Sequence, residues 1–152
     1  ITKDGPKVLE YNVRFGDPET QPLMMLLKTD LLKVFEACVN GTLDSIELEW
    51  YDGAAATVVM ASGGYPNKYT KGHVIYDLPT GQNIPGVQIF HAGTVIGPAN
   101  TVLTAGGRVL GVTAHNIDLT TALESCYKAV RCIGFENPHY RTDIGQREAP
   151  TW

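Results

Sequence analysis

The chain has 152 residues, 43% hydrophobic and 18% charged: enough apolar material for a packed core and too little charge for a disordered segment. Sixteen acidic residues against twelve basic ones leave a formal charge of −4, which argues against a protein built to grip a nucleic-acid backbone with a basic face. No apolar run approaches the ~18 residues of a membrane span, so neither nucleic acid nor membrane is an expected partner.

The opening Ile1-Thr2-Lys3-Asp4-Gly5-Pro6 has no initiator Met, basic n-region or apolar h-region, and reads as the middle of a longer chain. Pro6 to Val13 reads as a strand by its alternation, with Leu9, Tyr11 and Val13 on one face and Glu10, Asn12 and Arg14 on the other. Phe15-Gly16-Asp17-Pro18 breaks it; Asp17 suits an N-cap and Pro18 the first helical position. A long helix is predicted from Pro18 to Asn40, with Leu23, Leu26, Leu27, Leu31, Val34 and Cys38 at three- and four-residue intervals and Asn40-Gly41 as its stop. From Thr42 short strands are predicted at 56–61, 73–76, 87–92, 101–104 and 109–114, separated by turn clusters. A second helix starts at Asp118, carries Leu119, Ala122, Leu123, Cys126, Val130 and Ile133 on one stripe, and ends at Gly134. Strand, long helix, several short strands, helix and tail make an α+β chain, with residues 1–45 closing one domain and 46–152 forming a small, antiparallel β-rich one. Cys38, Cys126 and Cys132 have neither C-x-x-C nor zinc spacing and read as reduced, half-buried thiols of a cytoplasmic protein.

The densest polar cluster runs from Glu10 to Gln21. A carboxylate and an amide two apart on a strand stand about 7 Å apart at Cα, close enough to share one hard cation such as Mg²⁺, which fills its remaining positions with water and substrate phosphates. Arg14, next on that face, can take a phosphoryl oxygen or a carboxylate by paired hydrogen bonds. Such a set suits phosphoryl transfer, where catalysis is mostly positioning and charge neutralisation. An edge strand with a solvated polar face fits the same residues.

The stretch Gly5-Pro6-Lys7-Val8-Leu9-Glu10-Tyr11-Asn12-Val13-Arg14-Phe15-Gly16-Asp17-Pro18-Glu19-Thr20-Gln21 resembles the metal-binding strand and following helix of the glycinamide ribonucleotide synthetase (phosphoribosylamine–glycine ligase) family of the ATP-grasp superfamily. The resemblance continues through Val59 to Pro66, Phe90-His91-Ala92-Gly93-Thr94, Gly106 to Ala114 and Tyr140-Arg141-Thr142-Asp143-Ile144-Gly145. It implies the end of an ATP-grasp domain followed by a small β-rich domain of hybrid-motif character. It also implies ATP-driven coupling of 5-phosphoribosylamine and glycine, through glycyl phosphate, to glycinamide ribonucleotide, ADP and phosphate in purine synthesis.

By the same resemblance Glu10 and Asn12 match Mg²⁺ or Mn²⁺ ligands, and Arg14 matches the arginine beside the transferring phosphoryl group. Asp17 and Glu19 match a segment expected to support the metal ligands or to contact substrate rather than to bind the metal directly, and His91 and Arg108 are candidate substrate-lining residues. His91 equally suits a structural role with a backbone partner, and Arg108 a local carboxylate. Arg141 and Asp143 are expected to form an ion pair toward another part of the enzyme. The lysine-bearing nucleotide clamp and the amino-terminal domain of such ligases have no counterpart in these residues, so the chain is expected to be a carboxy-terminal portion, inactive alone and prone to self-association. A freestanding β-rich module that binds a metabolite or a protein and catalyses nothing is the competing reading.

Overall fold

The computed structural model describes residues 1–146, so the end of the domain expected at 46–152 lies outside them. Helices α1 (Thr20–Leu26) and α2 (Leu31–Asn40) precede strand β1 (Ala54–Ser62) and the short helix α3 (Leu78–Gln82). Strands β2 (Val87–His91), β3 (Thr94–Ile96), β4 (Val102–Thr104) and β5 (Arg108–Asn116) follow, then helix α4 (Leu119–Cys132) and the two-residue β6 (Pro138–His139). The order β2-β5-β1-β6 makes one antiparallel sheet, and β3 and β4 form a separate hairpin. The α+β expectation therefore holds. Among the described residues no helix is long and apolar enough to cross a membrane.

The register decides which side chains form the core. Val58 faces Val112 and Met60 faces Leu110 across β1 and β5, while Ile89 of β2 aligns with Val112. These residues share one face, and α4 lays Ala122, Cys126, Ala129 and Val130 on it. That four-residue set is the buried stripe of an amphipathic helix. On the opposite face Thr57 and Thr113 hydrogen-bond hydroxyl to hydroxyl at 2.8 Å, and α1 packs against β1 and β5. The sheet thus lies between helices, and α1 fastens the amino-terminal segment to it.

Several sequence expectations need correction. Residues 6–13 form no strand, because among the described residues no neighbouring strand supplies a hydrogen-bond ladder. Their apolar side chains are correspondingly open, with Leu9 97% and Val13 95% exposed. The long helix is two helices. Lys28 and Thr29 donate their backbone N–H groups to the Glu49 carbonyl, Thr29 Oγ1 accepts from Glu49 N at 2.7 Å, and Tyr51 N donates to the Leu26 carbonyl. That pairing draws the backbone out of the helix, and Asp30 restarts it by accepting from Leu32 N at 2.9 Å. At its other end α2 stops where expected, at Gly41, which takes φ 68°.

Asp17 caps nothing: α1 starts at Thr20 behind Glu19, with no side-chain cap. Residues 73–76 make only isolated bridges, Val74 to Leu103 and Tyr76 to Gly134. Helix α3 and strands β3 and β6 were unanticipated; each has five residues or fewer, too short for a periodic signal. The thiols also differ among themselves. Cys38 is exposed, Cys132 intermediate and Cys126 buried, and burial pushes the Cys126 thiol up to about 11.

Asp118 caps α4 as expected, accepting from Thr121 N at 2.7 Å. Hydrogen bonds to the Thr121 backbone and side chain lower its carboxyl from the ordinary 3.8. A depressed carboxylate stabilises the folded state at pH above its unfolded value, and loses that contribution as pH falls through the folded value. Asp118→Ala is therefore expected to lower the thermal midpoint at neutral pH, by a margin that shrinks as pH drops below 3.8. Thermal melts of both proteins across acid pH check this.

Candidate functional site

Glu10, Asn12, Arg14, Gly16, Asp17 and Glu19 line one open cleft of about 330 Å³. The extended segment 10–14 places the first three, and the turn before α1 places the rest. Asn12 Nδ2 donates to Glu10 Oε1 at 3.1 Å, so the amide and the carboxylate are in contact on the same side. The Arg14 guanidinium donates to the Phe15 carbonyl at 3.2 Å. The alternation read from the sequence thus operates here without a strand ladder.

Two residues with hard oxygen donors, side by side in an open cleft, fit part of the shell of Mg²⁺ or Mn²⁺, the other positions being left for water and phosphate oxygens. Among the described residues no group of three or more His, Cys, Asp and Glu could hold a metal, so an all-protein cage of zinc type is not what these residues build.

Arg108 reaches this cleft from the sheet. Its Nη1 donates to the Asp17 carbonyl at 2.8 Å and approaches Asp17 Oδ2 at 3.1 Å, across 91 positions of sequence. Of the two roles open to it, the structure displays the local carboxylate. The hydrogen bond to Asp17 raises the guanidinium further above its ordinary value, with burial opposing. A second cleft, of about 430 Å³, adjoins: Pro18, Tyr65, Pro66, Arg108, His139, Tyr140 and Arg141 are among its walls.

His91 stands elsewhere. It shares a cleft with Leu78, Pro79, Gln82, Asn83 and Ile89, and its Nδ1 meets the Thr94 hydroxyl at 3.0 Å. Arg141 and Asp143 pair with each other through two parallel bonds, at 2.8 and 2.7 Å. The sequence reading missed Tyr65, whose ring lies over Gly107: a Cβ at that glycine would sit 2.1 Å from Tyr65 Cδ2. The available signal was the pair of glycines immediately before Arg108.

A family model described as phosphoribosylglycinamide synthetase, C domain, matches residues 55–147, more than half of the chain. The chain belongs to this family. It is 49% identical over 147 residues to a phosphoribosylamine–glycine ligase of Brucella melitensis, covering 97% of this chain and 34% of the relative. It is 52% identical over 148 residues to the trifunctional purine biosynthetic protein adenosine-3 of Gallus gallus, covering 97% of this chain and 15% of that protein. Among solved structures, the phosphoribosylamine–glycine ligase of Thermotoga maritima superposes with a TM-score of 0.67 at 31% identity, covering 93% of this chain and 34% of that one. The chain thus spans about a third, or less, of the length of these relatives.

Proposed function

We propose that this chain is the carboxy-terminal part of an ATP-dependent ligase that joins 5-phosphoribosylamine and glycine. The observation that carries the reading is the shared cleft of Glu10, Asn12, Arg14, Asp17 and Glu19, with the acid and amide in contact. The names of the Brucella and Thermotoga relatives support it. Residues 1–45 then close an ATP-grasp domain and 46–152 form the small β-rich domain.

In this reading Glu10 and Asn12 hold Mg²⁺ or Mn²⁺, and Arg14 faces the transferring phosphoryl group. When bound, the metal neutralises triphosphate charge. Glycine's carboxylate takes the γ-phosphoryl of ATP, giving glycyl phosphate and ADP; the ribosylamine nitrogen attacks the acyl carbon, expels phosphate and loses a proton. Arg14 contributes a fixed positive charge where the phosphoryl oxygens gather charge, and Asp17 and Glu19 border the substrate side. The free thiols of Cys38, Cys126 and Cys132 are consistent with a cytoplasmic setting.

The complete protein carrying this chain is expected to release phosphate only when ATP, glycine and phosphoribosylamine are all present. The chain by itself is expected to be inactive and to self-associate through the exposed Leu9, Val13, Leu32 and Val39 side chains, which sedimentation velocity measures directly. Phosphate release by the isolated chain would contradict its incompleteness. A complete protein with no such release would favour a non-catalytic binding module.

A further inference from the structure

We infer that Arg108 is a positioning residue: by clasping the main chain and side chain of Asp17 it fixes the turn on which the Glu10, Asn12 and Arg14 cluster depends. The inference rests on the reading of that cluster given above.

Four observations build the clasp from the sheet outward. Pairing of β1 with β5 is regular down to Met60 opposite Leu110, but Ala61 then pairs with Arg108, so β5 carries one extra residue. Such a bulge re-aims the neighbouring side chains; here Val109 is buried while Arg108 projects, half-exposed, to the turn. The backbone behind Arg108 is pinned from two sides. Ser62 donates to the Gly107 carbonyl from its N–H and to the Gly106 carbonyl from its hydroxyl, both at 2.8 Å, and Gly93 N donates to the Arg108 carbonyl at 2.9 Å.

Tyr65 closes the third side. Its ring occupies the space a Cβ at Gly107 would need, and it packs edge-on against Tyr69 with centroids 6.0 Å apart. Through Tyr65, the Gly63-Gly64-Tyr65-Pro66 loop thereby bounds Arg108 on this side.

At the far end the geometry selects Asp17. One guanidinium nitrogen reaches both the carbonyl and the carboxylate of Asp17, so main chain and side chain are fixed together. Asp17 shares the cleft with Glu10, Asn12 and Arg14, and the adjacent Gly16 carbonyl accepts from Thr20 N, the first residue of α1. Segment 6–13 has no sheet ladder of its own among the described residues, so the clasp and the seat of α1 on the sheet are what hold the cluster's downstream end. The balance of positive charge also fits a clasp better than an anion site, since Arg108 and Arg141 are each already matched to an aspartate.

The test uses the complete protein with Arg108→Lys, Arg108→Met and Asp17→Asn. Amide hydrogen exchange over Gly16–Thr20 is expected to rise clearly in Arg108→Met, and less in Arg108→Lys, with exchange in β1 and α4 unchanged. The Mn²⁺ concentration giving half-maximal activity should rise ~10–100-fold in Arg108→Met, and kcat should fall by up to about 10²-fold. The KM for phosphoribosylamine should stay within about 2-fold, and Asp17→Asn, which keeps the carbonyl contact, should show a milder form of the same pattern. Unchanged exchange in Arg108→Met would overturn the proposal. So would a KM for the ribosylamine raised tenfold or more with Asp17→Asn silent, which would make Arg108 a substrate contact. If the ligase reading fails and no activity exists, the exchange measurement still decides whether Arg108 holds the turn.

Discussion

Replacing Glu10 with Gln in the complete protein is expected to reduce kcat by about 10²–10³-fold, the range seen when one preorganised electrostatic contact is removed from a reacting centre. The substitution is chosen because it removes little except charge. A glutamine at position 10 keeps an oxygen that accepts from Asn12 Nδ2, now at 3.1 Å, and the side chain is exposed, so folding has small reason to suffer. What disappears is the single negative charge that the pair offers to a divalent cation, since Asn12 is neutral. Asn12→Ala should act in the same direction through loss of a neutral ligand, and Glu10→Gln with Asn12→Ala should cost less than the sum of the two, because both serve one ion. Steady-state kinetics at several Mg²⁺ concentrations read this directly. A double variant with wild-type turnover would leave the cluster a solvated surface.

The largest effect on stability is expected at Leu110. It is fully buried, opposite Met60 in β1, on the face where β1, β2 and β5 meet α4. Leu110→Ala removes methyl groups that no solvent can replace and leaves a cavity between rigid elements, costing roughly 3 kcal/mol. At ~2–4 °C per kcal/mol for a chain of this size, the thermal midpoint should fall by about 6–12 °C. Ile96→Ala, at a residue of the small hairpin that is 65% exposed, should change it little, within ~0.5 kcal/mol. Calorimetry on both variants separates core packing from general loss of apolar surface. Equal shifts would place the core elsewhere.

The β-rich part and α4 were legible because their signals are local and dense. The strands expected at 56–61 and 109–114 lie within β1 and β5, and the stripe of α4 with its Asp118 cap places both the packing face and the start. The amino-terminal part was legible in composition but not in structure. Leu9, Tyr11 and Val13 alternate as a strand does, yet a strand exists only with a partner, which the sequence of one segment does not contain. The break between α1 and α2 was hidden because Leu26, Leu27 and Leu31 sustain helical spacing across it. The pairing of residues 26–29 with 49–51 that causes it is a tertiary contact, though Thr29-Asp30 before Leu31-Leu32 was a readable cap. At the candidate site, the face shared by Glu10, Asn12 and Arg14 followed from side-chain alternation alone. The role of Arg108 did not, because Asp17 lies 91 positions away and the bulge that aims Arg108 is invisible without the register.

Glu10 and Asn12, as a shared seat for a divalent ion, stand at the centre of the proposed function. Crystals of the complete protein grown with Mn²⁺ and a non-hydrolysable ATP analogue test it, through the anomalous signal of manganese. The expected result is a peak about 2.1 Å from oxygens of Glu10, Asn12 and the analogue's phosphates together. A peak bound to phosphates but remote from both side chains, in a structure where the nucleotide is in place, would contradict it.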